Sequence, residues 1–561
     1  MKIKNLITLI AFVFFTLWLS NKNIFCATNQ TAVLFAAGDT MIARWMHEEE
    51  YDGSAEKMFG SILPHIKNAD AALVNLECVV SFRGNIVYKG EYNPYSYRAR
   101  PSMIRFLKNA GINIVSQANN HAGDYGPTAL MDSMKHLTRA GILPLGIGKN
   151  LNESREIKYV NIKGIVLALI AFDTQQNTFK AEANLPGTFH AKESAARAVV
   201  EPLIKKARRQ ADIVIVSPHW GANWLKKPSE KRQKLARRFI DAGADGVLGH
   251  SSHVLQGMEL HKGRPILYDM GSFLFDSIRD ERIRNSMFFE LIFSKEGISE
   301  IRAYPISLNW RSTDLAQDKL CETIFSEFID RSEELKGNFS YKKTKNYLVI
   351  HTSYKNKEGF WSLFFKKHYA KNPIKLGQED KTEQNPIEAK PNCIFNSKKV
   401  LYSKDSVLFE NGIKLLSARL PAQAPNQASF FVELCFQTDK FLKGPPCEIQ
   451  LALYSRGGKL VDSNSHEPGD WSYPTPQWRT GEIIKDVFLF RVLSELTEPE
   501  YALYLNIIAG HKIGINQENR VKALGDNNEK GVFLGVIRIV NRKKNYIIPG
   551  LYSYKDNGIF S

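Results

Sequence analysis

From Ala32 to about Ile306 the chain alternates short β-branched and aliphatic runs with amphipathic stretches, and most apolar runs stop at a residue able to do chemistry. AVLFAAG (32–38), AALVNLE (71–77), INIVSQANN (112–120), IVLALIAFD (165–173), DIVIVSPHW (212–220), DGVLGH (245–250) and PILYDMGSF (265–273) predict strands. TALMDSMKHLTRAG (128–141) and SEKRQKLARRFIDAG (229–243) between them predict helices. That order is the signature of a layered α/β domain. Asp39, Glu77, Asn120 with His121, His219 and His250 stand at or beside the ends of these runs. In open α/β sheets ligands bind outside the carboxyl ends of the strands, which makes this set the place to look for a site.

A chain of 561 residues exceeds what one α/β domain usually absorbs, so further folding units are expected. The layered domain is assigned to 28–325. A linker or extended connection follows over 326–395, where the sequence turns Lys-rich and polar. A β-sandwich accessory domain is expected over 396–545, because SFFVELCFQ, CEIQLALYS, KDVFLFRV, YALYLNIIAG and GVFLGVIRIV read as strands separated by turn signals. Trp471, Tyr473 and Trp478 in that part are read as core aromatics, with a sugar-stacking surface as the lesser alternative. Residues 1–27 form an exported protein's leader: Lys2 and Lys4 precede the apolar stretch Leu6 to Leu19, shorter than the roughly 20 residues of a spanning helix. Phe25 makes a poor cleavage site, so a retained membrane anchor stays open beside a cleaved signal peptide. The expected location is therefore the cell envelope, periplasmic or membrane-associated.

Hydrophobic residues at 43% and charged residues at 24% exclude collagen, coiled coil and general disorder. The net charge of +17 favours anionic partners. The basic runs 205–209 and 231–238 sit on predicted helix faces and lack the interleaved aromatics of a nucleic-acid stacking platform, so no nucleic acid is expected. No cysteine pair has zinc-knuckle spacing; Cys435 and Cys447 are either a disulfide or two buried thiols.

Asp39, Glu77, Asn120, His121, His219, His250 and His253 combine carboxylate and amide oxygens with imidazoles, a donor set suited to zinc, manganese or iron. One or two divalent cations are expected, a carboxylate between two of them serving as bridge. Arg98 and Arg100, after the aromatic loop EYNPYSYRAR, are candidates for a substrate carboxylate or phosphate.

The segments LFAAGDTM (34–41), LVNLE (73–77), ANNHAGDYG (118–126), PHWGANW (218–224), GADGVLGHSSHVLQG (243–257) and LYDMGSFLFD (267–276) resemble, in order, those of the CapA family of capsule and poly-γ-glutamate biosynthesis proteins. These look like relatives of calcineurin-type metallophosphoesterases. The resemblance implies a four-layer αββα fold with Asp39, Glu77, Asn120, His219, His250 and His253 as metal ligands, Glu77 bridging. It implies His121 as the group that serves the leaving oxygen, helped by Asp124, and Asn119 beside the substrate. The chain departs from the wider phosphoesterase pattern at Met41, where Asp-x-His is usual, in the spacing of His250 and His253, and at Asn223, where many relatives are acidic. The implied function is synthesis, transfer or export of an anionic capsule polymer, with capsule-synthesis membrane proteins as partners and a phosphoester as substrate if the site is hydrolytic. A non-catalytic polymer-binding module and a general extracytoplasmic metallophosphoesterase are the alternatives.

Overall fold

The computed structural model describes residues 30–352 apart from 49–52, 88, 90–94, 277–280 and 338, then 373–377, 394–395 and most of 406–540. The segment 1–27, expected to be a leader, lies outside the described residues, as do Trp471 and Tyr473. Among the described residues no helix is long and apolar enough to cross a membrane.

Two sheets organise the layered domain. At the centre of a ten-stranded sheet, the strand Ala32–Thr40 runs parallel to Ala71–Leu76 on one side and antiparallel to Asn285–Ser294 on the other. Ile114–Ser116 and Leu143–Leu145 extend the parallel half. In the six-stranded sheet, Ile165–Asp173, Ile213–His219, Gly246–Leu248 and Arg264–Leu267 are mutually parallel neighbours. Leu34, Leu73 and Ile114 of the first sheet share one apolar core with Leu167, Ile213 and Leu248 of the second. Away from that core, Phe35, Val74 and Val115 pack with Phe59, Ile66 and Leu107 from short helices. Likewise Val214 and Val216 pack with Val200 and Phe239 of the helices Glu193–Arg208 and Glu230–Ala242. The layers run helix, sheet, sheet, helix. Strands covered on both faces explain why the predicted runs are continuously apolar rather than alternating. Each fully buried aliphatic or aromatic side chain contributes roughly 1.5–3 kcal/mol.

The boundary expected at 325 falls inside a helix. Asp318–Glu333 inserts Ile324, Phe325 and Phe328 into the core between the sheets. Beyond it, Tyr341–Lys343 and Leu348–His351 add antiparallel strands to the edge of the ten-stranded sheet, Leu348 opposite Ala303. Leu348 and Ile350, fully buried at a period of two, carry that pairing inside a segment whose polar composition had suggested a linker. Ile374 also bridges to Val160.

The C-terminal part is a sandwich of a five-stranded and a six-stranded sheet. Phe436, Trp478 and Phe488 meet Leu451, Leu505 and Ile507 between them, so Trp478 is a core residue. Cys435 and Cys447 lie in different sheets as buried free thiols, which removes the disulfide alternative.

One glycine fixes how the strand ends meet. Asp39 N–H donates to the Gly271 carbonyl at 2.9 Å, and a β-carbon on Gly38 would stand 1.7 Å from that same oxygen. Backbone cannot yield as a flexible side chain can. Gly38→Ala is therefore expected to cost about 3 kcal/mol or more, read as a lowered midpoint in urea denaturation, and to reduce divalent-metal uptake because Asp39 is the next residue.

Candidate metal centre

The parallel strands of both sheets deliver their carboxyl ends to one place. Asp39 sits at a register irregularity beside Thr40, where the strand is paired with Asn75 on one side and Ser272 on the other. Glu77 follows the Ala71–Leu76 strand directly. From the second sheet come His219, the last residue of its strand, and His250, joined to it by a β-bridge. The turn after His250 is strained: Ser251 has φ 111° and His253 φ 59°. Such conformations in non-glycine residues cost on the order of 1–3 kcal/mol each and persist where the surroundings over-determine them. The strain aims His253 back at the first sheet.

Asp39, Glu77 and His253 present one ligand atom each within 4.8 Å of one another, all buried. His253 Nδ1 is 2.9 Å from Asp39 Oδ2 and 3.7 Å from Glu77 Oε2. His219 Nε2 and His121 Nε2 stand 3.8 and 3.9 Å from Glu77 Oε1. Both Glu77 oxygens, His219 Nε2, His250 Nδ1 and Asn120 Oδ1 are buried with no hydrogen-bond partner among the described residues. Lone unpaired carboxylates are costly to bury, by several kcal/mol per ion. A convergent set of unsatisfied oxygens and imidazole nitrogens therefore fits a divalent cation, and Asp39, Glu77 and His253 can hold it. His250 is set up to join them, because its Nε2 is engaged by Ser217 Oγ at 3.0 Å, which leaves Nδ1 as the ligand atom.

The electrostatics follow from this crowding. Burial alone would raise the pKa of Asp39, but the charge and hydrogen bond of His253, with His219 and His250, hold its carboxyl well below the usual range. Burial and the neighbouring Asp39 push Glu77 well above it, against the pull of His253. For His253 burial is overcome by Glu77 and Asp39, which lift the imidazolium to about 10. His121 goes the other way: burial, then Lys89 and His253, keep it well below the usual histidine value and hence neutral at pH 7. His121 Nδ1 lies 2.7 Å from Asp124 Oδ2, so an Nδ1–H donated there turns the Nε2 lone pair towards Glu77.

Residues 33–277 match the family described as bacterial capsule synthesis protein PGA_cap. The layered domain belongs to the CapA family. PGA biosynthesis protein CapA of Bacillus subtilis (strain 168) is 28% identical over 322 residues, 57% of this chain and 82% of that protein. Capsule biosynthesis protein CapA of Bacillus anthracis is 29% identical over 257 residues, 44% of this chain and 61% of its own length. A probable polyglutamine synthesis accessory protein of Mycobacterium tuberculosis is 31% identical over 228 residues, 39% and 59% respectively. The last two are thus spanned over less than two thirds of their length. Solved structures resemble the chain only slightly: TT1561 of Thermus thermophilus, 10% identical and matched by 47% of this chain over its full length, reaches a TM-score of 0.27.

In this CapA-family domain several site residues were not singled out by the sequence. Asn75 donates to Asp39 Oδ1 at 2.8 Å and lies 3.1 Å from His219 Nδ1, tying the two sheets together. It is the only polar residue of a buried strand, which was the available signal. Asp269, pushed up to about 7 by burial and by Asp39, accepts from Ser252 and Gly271 N–H and so shapes the His253 turn. Lys89 forms a buried 2.8 Å ion pair with Asp124 and reaches His121 Nδ1 at 3.3 Å. It comes from an irregular loop whose pattern carried no signal.

Other expected residues take different places. Asn119 is fully buried, donating to Asn75 Oδ1 and the Leu76 carbonyl and accepting from His121 N–H, which makes it a brace for the strand ends rather than a substrate contact. Arg98 stacks on Tyr125 with its guanidinium carbon 3.6 Å from the ring centroid and donates to the Gly84 carbonyl. Arg100 is buried in an ion pair with Glu467 of the sandwich. Burial with intramolecular partners corrects the expectation that these two arginines meet the substrate. Met41 turns its sulfur to the Ala43 N–H, 3.1 Å away inside the core, and Asn223 is exposed.

A protonated His253 must lose its proton to become a ligand, so metal affinity should rise with pH from the ordinary histidine value, near 6.5, towards 10. In the metal-free protein the same raised pKa contributes stability that is complete below about 6.5 and is lost as pH rises through about 10. Calorimetric titration with manganese in buffers of different ionisation enthalpy should show proton release at pH 7. His253→Gln should remove the His253 share of that release, leaving only what the raised Glu77 carboxyl gives up, and flatten the alkaline fall in stability.

Proposed function

We propose that this protein serves the synthesis, transfer or export of an anionic capsule polymer such as poly-γ-glutamate, acting from the cell envelope through a metal-dependent phosphoesterase-like site. The observation that carries the reading is the convergence of Asp39, Glu77 and His253 within one buried cluster in which both Glu77 oxygens, with His219 Nε2 and His250 Nδ1 beside them, lack a hydrogen-bond partner among the described residues. The names of the Bacillus relatives, a PGA biosynthesis protein and a capsule biosynthesis protein, supply the polymer. The helix, sheet, sheet, helix layering is compatible with a metallophosphoesterase-type αββα fold, and the leader over 1–27 supports export.

Asp39, Glu77 and His253 would hold a divalent cation, with Asn120, His219 and His250 able to complete its surroundings or take a second ion. Bound there, such an ion supplies Lewis acidity, lowering the pKa of water and neutralising charge on a phosphoryl group. The chain's own contribution is positional. Asp124 orients His121, Lys89 locks Asp124, and the Tyr97 ring packs against the imidazole with centroids 4.1 Å apart. A neutral His121 so held accepts a proton at Nε2 and returns it to a leaving oxygen.

A second reading, a non-hydrolytic module that grips the polymer through one cation, is favoured by Met41, whose side chain lies in the core and offers no nitrogen to the cluster. Metal analysis of the purified full chain and turnover of an aryl phosphodiester with manganese separate the two. Hydrolysis predicts two tightly bound ions and a loss of roughly 10²–10⁴-fold in kcat for His121→Ala. A single ion with no turnover by the unaltered protein supports the gripping module.

A further inference from the structure

The C-terminal sandwich is built into the wall of the site. Phe431, Val487 and Leu489 pack against Val79, Ile86, Tyr125 and Ala129 of the layered domain. Glu467 forms the buried ion pair with Arg100. Along the same face the sandwich delivers Arg491, with its guanidinium carbon 3.9 Å from the Tyr95 ring centroid. Tyr95 lies 6.2 Å from Tyr97, centroid to centroid, and Tyr97 is the ring packed on His121. Arg44 approaches Tyr97 from the first domain at 5.6 Å and pairs with Asp276 at 3.1 Å. Tyr97 also meets Phe275, which in turn contacts His253, so the two guanidinium groups are one aromatic layer from the metal cluster.

Among the described residues two cations of this layer face one acid. Arg44 and Arg491 are both half-buried, and among the described residues the acid near them is Asp276, which pairs with Arg44 and also feels the charge of Arg491. Burial and the like charge of Arg44 push the pKa of Arg491 down, the response expected of a cation short of a counter-ion. Tyr95 offers a ring face and not a negative charge, and it is Arg-rich pockets of this kind, partly shielded from water, that recognise carboxylate and phosphate.

We propose that Arg491 and Arg44 form an anion subsite beside the candidate metal centre, so that the sandwich supplies a substrate-binding residue and is a working part of the site. The subsite takes an acidic group, a side-chain carboxylate of an anionic polymer or a phosphoryl oxygen, and holds it while a neighbouring bond lies at the cations. This rests on the anionic-substrate reading above, though not on turnover.

The test uses the full chain loaded with manganese, with an oligomer of γ-linked glutamate and inorganic phosphate as separate probes in calorimetric titrations. Arg491→Gln, which keeps a stem to pack on Tyr95, should weaken one probe about tenfold or more while metal content stays unchanged, and Arg491→Lys should recover part of the loss. Arg44→Gln should weaken the same probe, guarding against a fold defect in the sandwich variants, whose melting curves are recorded alongside. Loss of oligomer binding alone identifies a carboxylate, loss of phosphate binding alone a phosphoryl group. Unchanged affinity in Arg491→Gln, or no binding of either probe by metal-loaded unaltered protein, overturns the subsite. Failure of the unaltered chain to take up metal instead counts against the metal centre, and the two failures are told apart by metal analysis before titration.

Discussion

The structure turns on three carboxylates and a ring of imidazoles held out of water where two sheets meet. Asp39, Glu77 and Asp269 are all fully or almost fully buried, and each lies within the electrostatic reach of another. Left alone, such a group would repel itself apart or take up protons, which is what the raised values of Glu77 and Asp269 express. Its persistence requires cations, and the fold supplies one in His253 at the end of a strained turn. The requirement also explains the rigidity around it. Asn75 ties the strand of Asp39 to the strand of His219, Asn119 braces Asn75, and Gly38 allows backbone to pass where a methyl group would collide. A cluster of like charges can be preorganised only by elements that cannot relax away from one another, and opposed parallel strands covered on both faces are such elements.

How legible this was in the sequence depends on the range of the information. The strands and the helices at 128–141 and 229–243 were readable because apolar runs and amphipathic periods are local, but the run at 265–273 divides into Arg264–Leu267 of the six-stranded sheet and Ser272–Leu274 of the ten-stranded sheet, and that at 112–120 is a strand only over Ile114–Ser116. Asp39, Glu77, His219 and His250 were visible because each closes an apolar run. Their convergence was legible only through ordered segments resembling the CapA family, since no local pattern says which strand ends adjoin. Lys89 and Asp269 show the limit: one lies on an irregular loop, the other acts by bonding the turn that carries His253, and both matter through contacts made across the fold. Arg98 and Arg100 failed for the opposite reason. A guanidinium after an aromatic loop reads as a ligand for an anion, but the anion and the ring it found, Glu467 and Tyr125, belong to the protein.

The segment read as a linker makes a similar point about composition. Its Lys-rich, polar character is real, yet Leu348 and Ile350 are sufficient to seat a short edge strand, because an edge needs only one buried face and ladder hydrogen bonds on one side. The chain then leaves the layered domain and returns as a sandwich whose contacts fall on the face nearest His121.

That return bears on what kind of molecule the site can serve. A sandwich packed against the far side of the sheets would leave the cluster open, as suits a small phosphoester. Here Phe431, Val487 and Leu489 are set against Tyr125 and Val79, and Arg491 against Tyr95, so one wall of the approach belongs to a different folding unit from the one that holds the candidate metal ligands. On the proposed reading, a site made jointly by two units would engage more than one point along an extended ligand, with Arg491 from the sandwich and Arg44 from the layered domain favouring acidic repeats. The buried pair Arg100–Glu467 then has a reason to lie within this contact. Buried ion pairs add little net stability, but they penalise misplacement because either charge left alone is costly, and the position of Arg491 relative to His121 is what such a pair would hold.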